Sequence, residues 1–223
     1  MSDIRAIETS YDGCRFRSRL EARWAVFFNA AGIEYQYEPE GFVLSDGSWY
    51  LPDFYLPNVI LRDGSTGLWV EVKGKSDIPK EDQNKILRFG DHTMWSADET
   101  PGHALLVVGQ IPKSCMALWN RGYEESLFWN FRTVDGDWGY PAQFWRAQDG
   151  SIHIAGWDTV KKFPCAMEGF TCFDAPMSWA RTARFEHGET PAVRKAEKRT
   201  WASMTAKSGQ RVLAETGKCS KEL

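Results

Sequence analysis

The chain has 223 residues, an ordinary apolar fraction of 43% and a formal charge of −3, so it fits one domain with room for an elaboration. No apolar run reaches the roughly 20 residues that span a bilayer, and the N-terminus MSDIRAIETS lacks the layout of an export signal. The five scattered cysteines show no CxxC spacing, which suits reduced thiols and a cytoplasmic setting.

In chain order, the first readable element is a helix from about Arg17 to Ala31. Leu20, Trp24, Phe27, Phe28 and Ala31 recur at helical spacing, and Gly32 supplies the stop. Four segments with strand chemistry follow: Glu34–Tyr37, Gly41–Leu44, Trp49–Tyr55 and Leu68–Lys73. Asp46-Gly47 marks a hairpin and Asp63-Gly64 a loop. Ile78 to Phe89 reads as a helix with Pro79 near its first turn. His103–Val108 is a short apolar run between glycines, the pattern of a strand buried on both faces. Tyr140–Ala147 and Ser151–Trp157 flank Gln148-Asp149-Gly150 as a second hairpin, and Asp174 and Pro176 announce a helix to about His187. The order predicts an α/β fold, a mixed sheet flanked by helices, with a C-terminal hairpin-plus-helix extension. It divides the chain into a core (1–110), an elaboration (111–190) and a basic tail (191–223).

Charge is uneven along that order. Up to Gln110 there are 17 Asp and Glu against 11 Lys and Arg, whereas the tail from Pro191 holds eight basic residues opposed by three Glu. An acidic half with a basic tail suits a metal site plus a phosphate-contacting arm, and equally a solvated terminus.

The segment Leu68-Trp69-Val70-Glu71-Val72-Lys73-Gly74 carries the chemistry. On a strand, Glu71 and Lys73 share one face and Val70 and Val72 the other. The valines can pack beneath a helix while carboxylate and ammonium sit side by side. Leu51-Pro52-Asp53-Phe54 brings a second carboxylate among apolar neighbours. Charges so placed need partners, and a hard cation bound through oxygen, Mg²⁺ or Mn²⁺, is one.

Pro52-Asp53 followed by Glu71-Val72-Lys73 resembles the PD-(D/E)XK signature of restriction-endonuclease-like nucleases, in the compact type found in phages and mobile elements. The resemblance runs back through FRSRLEARWAVFFNAAGIEYQYEPEGFVL and covers about residues 14–110. It implies metal on Asp53, Glu71 and the carbonyl of Val72, Lys73 as the catalytic lysine, and Glu21 on the first helix completing the site. It thereby implies a Mg²⁺-dependent DNA endonuclease, with Mn²⁺ able to substitute. The alternative is a nucleic-acid-binding or partner-dependent subunit that keeps the fold, acting as a homodimer or with a protein partner. Ser18-x-x-Glu21 also matches a capping box, which would engage Glu21 in its own helix terminus. Gln83 and Lys85 on the second helix, Arg181 and Arg184 on the last, and Arg194 and Lys195 in the tail are candidate nucleic-acid contacts, each also readable as a solvated surface group. Glu38 and Glu40, flanking Pro39, read as surface carboxylates, with a supporting place beside the site as the alternative. Cys165, Cys172 and His187 fit no standard zinc module.

Overall fold

The computed structural model describes residues 6–61, 64–74, 78–94, 104–112, 128–131, 140–156 and 173–185. A short hairpin, β1 (Thr9–Tyr11) and β2 (Cys14–Phe16), precedes the first helix, α1 (Arg19–Ala31). This hairpin was not expected, although Asp12-Gly13 at its tip is a turn pair of the same kind as Asp46-Gly47. Asp12 and Gly13 both take positive φ there, the backbone that a tight primed turn demands.

Helix α1 begins and ends where its sequence says it should. Ser18 caps the start, its side chain accepting the amide of Glu21. Gly32 closes the end in the left-handed conformation, with Ile33 N–H bonded to Phe28 O at 2.8 Å, a C-terminal arrangement open to glycine because no Cβ obstructs it. β3 (Gln36–Tyr37), β4 (Phe42–Val43), β5 (Trp49–Tyr50), β6 (Phe54–Ile60), β7 (Thr66–Val72), helix α2 (Lys80–Met94) and β8 (Ala104–Val108) follow. The expected strand over 49–55 is two: β5 pairs with β4 as a separate hairpin, and β6 starts only after Asp53. Pro52 explains the break, since it has no amide to give a ladder. α2 runs past Phe89 to Met94, through Gly90.

One sheet has the order β11-β10-β9-β8-β7-β6-β3. Here β9 is Phe128–Phe131, β10 Tyr140–Arg146 and β11 Ile152–Gly156. The sheet is mixed: β7 lies parallel to β8 and antiparallel to β6. The second hairpin is present as expected, and it is part of this sheet. β11 also pairs in parallel with Val59 and Ile60 of β6, on the edge whose other end takes β3 at Phe54 and Tyr55. The pairings therefore return to β6, and strands from both sides of residue 110 share one sheet. The last helix, α3 (Asp174–Thr182), stops short of the expected His187 and packs on α1.

Strand alternation sorts the core into two layers. Leu68, Val70, Leu106 and Val108 join Trp24, Phe27 and Phe28 of α1, with Phe144, Ile152, Ile154 and α3 residues Met177 and Ala180. Trp69, Leu105 and Val107 face the other way, onto Ile86 and Phe89 of α2 and Tyr50 of β5. Residues 105–108 are fully buried, as a strand covered on both faces must be. Trp24 Nε1 donates to Gly109 O at 2.8 Å, fastening α1 to the end of β8. Cys14 is disulfide-bonded, which corrects the expectation of reduced thiols for this residue; the other four cysteines lie outside the described residues. Among the described residues no helix is long and apolar enough to cross a membrane.

Candidate active site

The strand register assembles the site. Phe54 pairs with Val70 across β6 and β7, and Asp53, the residue just before β6, reaches the end of β7, where its Oδ2 accepts the Val72 amide and its charge is felt by Glu71. Asp53 and Glu71 are buried, at 3% and 5% exposure. Lys73 continues past the strand with its amide bonded to Val108 O at 2.8 Å, and its ammonium lies 2.8 Å from Glu71 Oε1. Carboxylate and ammonium thus share a face as the alternation predicts, while Val70 is buried against α1 and Val72 packs at its edge.

Asp53 is gripped from two sides. Its Oδ2 accepts the amide of Val72 at 2.7 Å, and its Oδ1 meets Arg17 Nη2 at 2.5 Å. Burial, then repulsion from Glu71 and Glu21, drives its pKa well above the ordinary carboxylate range, with the Val72 amide and Arg17 pulling the other way. Burial also raises Glu71, against the pull of Lys73. Lys73 is held charged: burial opposes the charge, but Glu71 and Asp53 outweigh it and raise its pKa. Ionising both carboxylates in this buried site is therefore costly even with Arg17 on one and Lys73 on the other.

Two buried polar atoms here lack a hydrogen bond, Glu71 Oε2 and the Tyr50 hydroxyl. The two face each other closely enough that, after burial, Glu71 is the main cause of the raised Tyr50 pKa through its charge and a weak contact with the hydroxyl, but neither atom reaches full hydrogen-bond geometry. Orphaned oxygens in a buried site are uncommon and call for a ligand. Two buried carboxylates, one with an unsatisfied oxygen, form an oxygen donor set that suits a hard divalent cation. Among the described residues no three His, Cys, Asp or Glu converge into a metal-holding group.

Glu21 accounts for the missing third carboxylate. Its Oε1 accepts the Ser18 hydroxyl at 2.7 Å, and its Oε2 accepts the Tyr37 hydroxyl at 2.6 Å and the Arg17 amide at 3.0 Å. Ser18 caps the Glu21 amide while Glu21 reaches back past the cap residue to the Arg17 amide, a variant of the capping box that a tyrosine extends. Of its two sequence readings the helix cap is the one these bonds describe, and Glu21 touches the metal-site candidates only through its field on Asp53.

Glu38, read as a surface carboxylate, instead borders the site. Its amide donates to Asp53 O at 2.9 Å, and Oε1 lies 2.6 Å from Arg17 Nε in an ion pair without hydrogen-bond geometry. It holds φ +46° immediately before Pro39, a backbone state that non-glycine residues seldom adopt. Arg17 and Glu38 gave no periodic signal, being an N-terminal flank and a loop; the proline after Glu38 was the sole cue to an unusual backbone.

The remaining candidates stand elsewhere. Gln83 donates to Ile78 O at 2.7 Å within its own helix start, and Lys85 pairs with Glu81 one turn away at 3.2 Å. Arg181 donates to the Pro112 carbonyl, while Arg184 is exposed just past α3. Arg194, Lys195, Cys165, Cys172 and His187 lie outside the described residues. Comparison with known protein families, characterised proteins and solved structures gives no match.

Proposed function

We propose that this protein is a Mg²⁺-dependent nuclease of the PD-(D/E)XK type that hydrolyses phosphodiester bonds in DNA, as an endonuclease. The observation that carries the reading is the burial of Asp53 and Glu71 close to one another at the end of β7, with Asp53 on the Val72 amide and Lys73 ion-paired to Glu71 at 2.8 Å. A trio of this kind costs folding energy, because buried carboxylates with raised pKa values destabilise the ionised protein. Arrangements of that sort cluster where chemistry is done.

Asp53 and Glu71 would hold the cation, with the Val72 carbonyl as the third donor that the resemblance implies. Bound there, Mg²⁺, or Mn²⁺ in its place, would neutralise charge building on a phosphodiester and make water acidic enough to attack it. Asp53 is fixed for this by the Val72 amide, so its orientation is set before any ligand arrives. Glu71 keeps Oε2 unoccupied by the protein and Oε1 on Lys73. The Lys73 ammonium, a quarter exposed, has the freedom to leave Glu71 in part and donate to the attacking water or a phosphate oxygen. Tyr50 is buried beside Glu71. The test is cleavage of plasmid and oligonucleotide DNA with Mg²⁺ or Mn²⁺, alongside Asp53→Ala and Lys73→Ala. Metal-dependent cutting that survives both substitutions would overturn the assignment.

A further inference from the structure

Arg17 is the one described cation that touches Asp53, and it does so from an unusual position. Its main chain is fixed just outside α1, where its amide donates to both Glu21 Oε2 and the Tyr37 hydroxyl, at 3.0 and 3.1 Å. Its side chain is 55% exposed, whereas that of the Asp53 it grips is 4% exposed. The carboxylate is buried and held by the Val72 amide, whereas the guanidinium lies half in solvent. Nη2 lies on Asp53 Oδ1 and Nε beside Glu38 Oε1, so the head spans two carboxylates at the mouth of the site. Glu38 is kept there by its left-handed backbone and its bond to Asp53 O. Deeper in, Lys73 occupies Glu71 Oε1 while Oε2 completes no hydrogen bond. Each carboxylate thus has one cation, and the one on Asp53 is the more exposed of the two.

Resting on the nuclease reading above, we propose that Arg17 is a built-in counter-cation: it satisfies Asp53 in the metal-free protein, yields that oxygen to a divalent cation, and then takes a backbone phosphate of the nucleic acid. A guanidinium is suited to both posts, since its planar fork matches carboxylate and phosphate alike. Glu38 provides the intermediate hold, keeping the arm at the rim when Asp53 is surrendered.

An adjacent unit charge ordinarily changes a carboxylate's affinity for a proton by roughly ten- to a thousandfold. Removing the Arg17 charge should therefore tighten divalent-cation binding by about tenfold or more on the same scale. The measurement is calorimetric titration of the full chain with Mn²⁺ alone, without nucleic acid, for wild type, Arg17→Met, Arg17→Lys and Asp53→Ala. Arg17→Met should bind Mn²⁺ more tightly than wild type, Arg17→Lys should stay near wild type, and Asp53→Ala should lose binding. In Ca²⁺, Arg17→Met should bind a short DNA duplex more weakly, with a salt slope lower by about one. Equal or weaker Mn²⁺ binding by Arg17→Met overturns the role of Arg17 and leaves the nuclease reading standing. Absence of Mn²⁺ binding by wild type and Arg17→Met alike sinks the metal-site reading itself. If Arg17→Met does not fold, wild type carries the test. The Arg17 Nε–H NMR signal, identified by its loss in Arg17→Lys, must move on adding Mg²⁺, and a signal unmoved at saturation overturns the proposal.

Discussion

Asp53 and Glu71 set the protein's chemistry against its stability. A carboxyl group whose pKa is raised by folding binds its proton more tightly in the native than in the unfolded chain. Its stabilising contribution is complete below the unfolded value of ~3.9 for Asp and is lost as pH climbs through the folded value. Asp53 is raised in this sense by burial and by Glu71, so at neutral pH its ionised form is a liability in the metal-free protein. Asp53→Asn should consequently melt above wild type in EDTA, and its lead should widen from pH 4.5 to pH 8; a lead that narrows would show that Asp53 is not raised. Saturating Mn²⁺ should reverse the order, because only wild type gains from binding. Lys73 makes a separate prediction. It is charged and ion-paired to Glu71 as Arg17 is to Asp53, so Lys73→Met should bind Mn²⁺ at least as tightly as wild type while cleavage falls by roughly 10²–10³, the usual loss of one preorganised donor to a developing negative charge. Loss of metal binding in step with activity would instead make Lys73 part of the binding site.

At the scale of elements, helix α1 shows where sequence reasoning succeeds and where it stops. Its apolar spacing, Ser18 cap and Gly32 stop are local signals, and the helix follows them closely. The same holds for β7, whose alternation separated Glu71 from Val70 before any pairing was known. The role of Glu21 was not legible, because Ser-x-x-Glu is at once a cap and a family motif, and the distinguishing partner, Tyr37, lies sixteen residues away on β3. Arg17 and Glu38 were hidden for a related reason: ion pairs between segments far apart in sequence leave no periodic trace. The cap can be tested directly. Ser18→Ala should cost ~1 kcal/mol in chemical denaturation. Glu21→Gln, which keeps an acceptor for Tyr37 and the Arg17 amide, should retain cleavage within several-fold of wild type. A loss as large as that in Asp53→Ala would return Glu21 to the metal. Ser18→Ala and Glu21→Ala combined should destabilise by less than their sum, since both break the same box.

For the whole molecule the decisive feature is the return of the sheet to β6. The reading of the chain as a core followed by an elaboration rested on fading local signals after residue 110. Sheet order is set by contacts between distant segments, so β9 and the parallel β11–β6 pairing had no local signature. The consequence is energetic. Phe144 on β10 is 1% exposed, with its ring 6.0 Å from that of Phe27 and 6.3 Å from that of Phe28 on α1. Phe173, beside α3, adds a further edge contact to Phe27 at 6.0 Å. The helix that follows Arg17 is thus packed from behind by residues more than a hundred positions later. Elements that share one buried cluster lose their packing together, so urea unfolding followed by tryptophan fluorescence and by far-UV circular dichroism should give coincident single transitions. Phe144→Ala should lower the free energy of that one transition by about 3–5 kcal/mol, the ordinary cost of removing a buried aromatic side chain. It should also weaken Mn²⁺ binding in proportion to the fraction unfolded and no further, because Phe144 packs in the apolar cluster with Phe27 and Phe28 and is no ligand candidate. Two separated transitions in wild type, or a Phe144→Ala protein in which only the later segment melts, would mean that the C-terminal strands are an appendage and that α1 and the site stand without them.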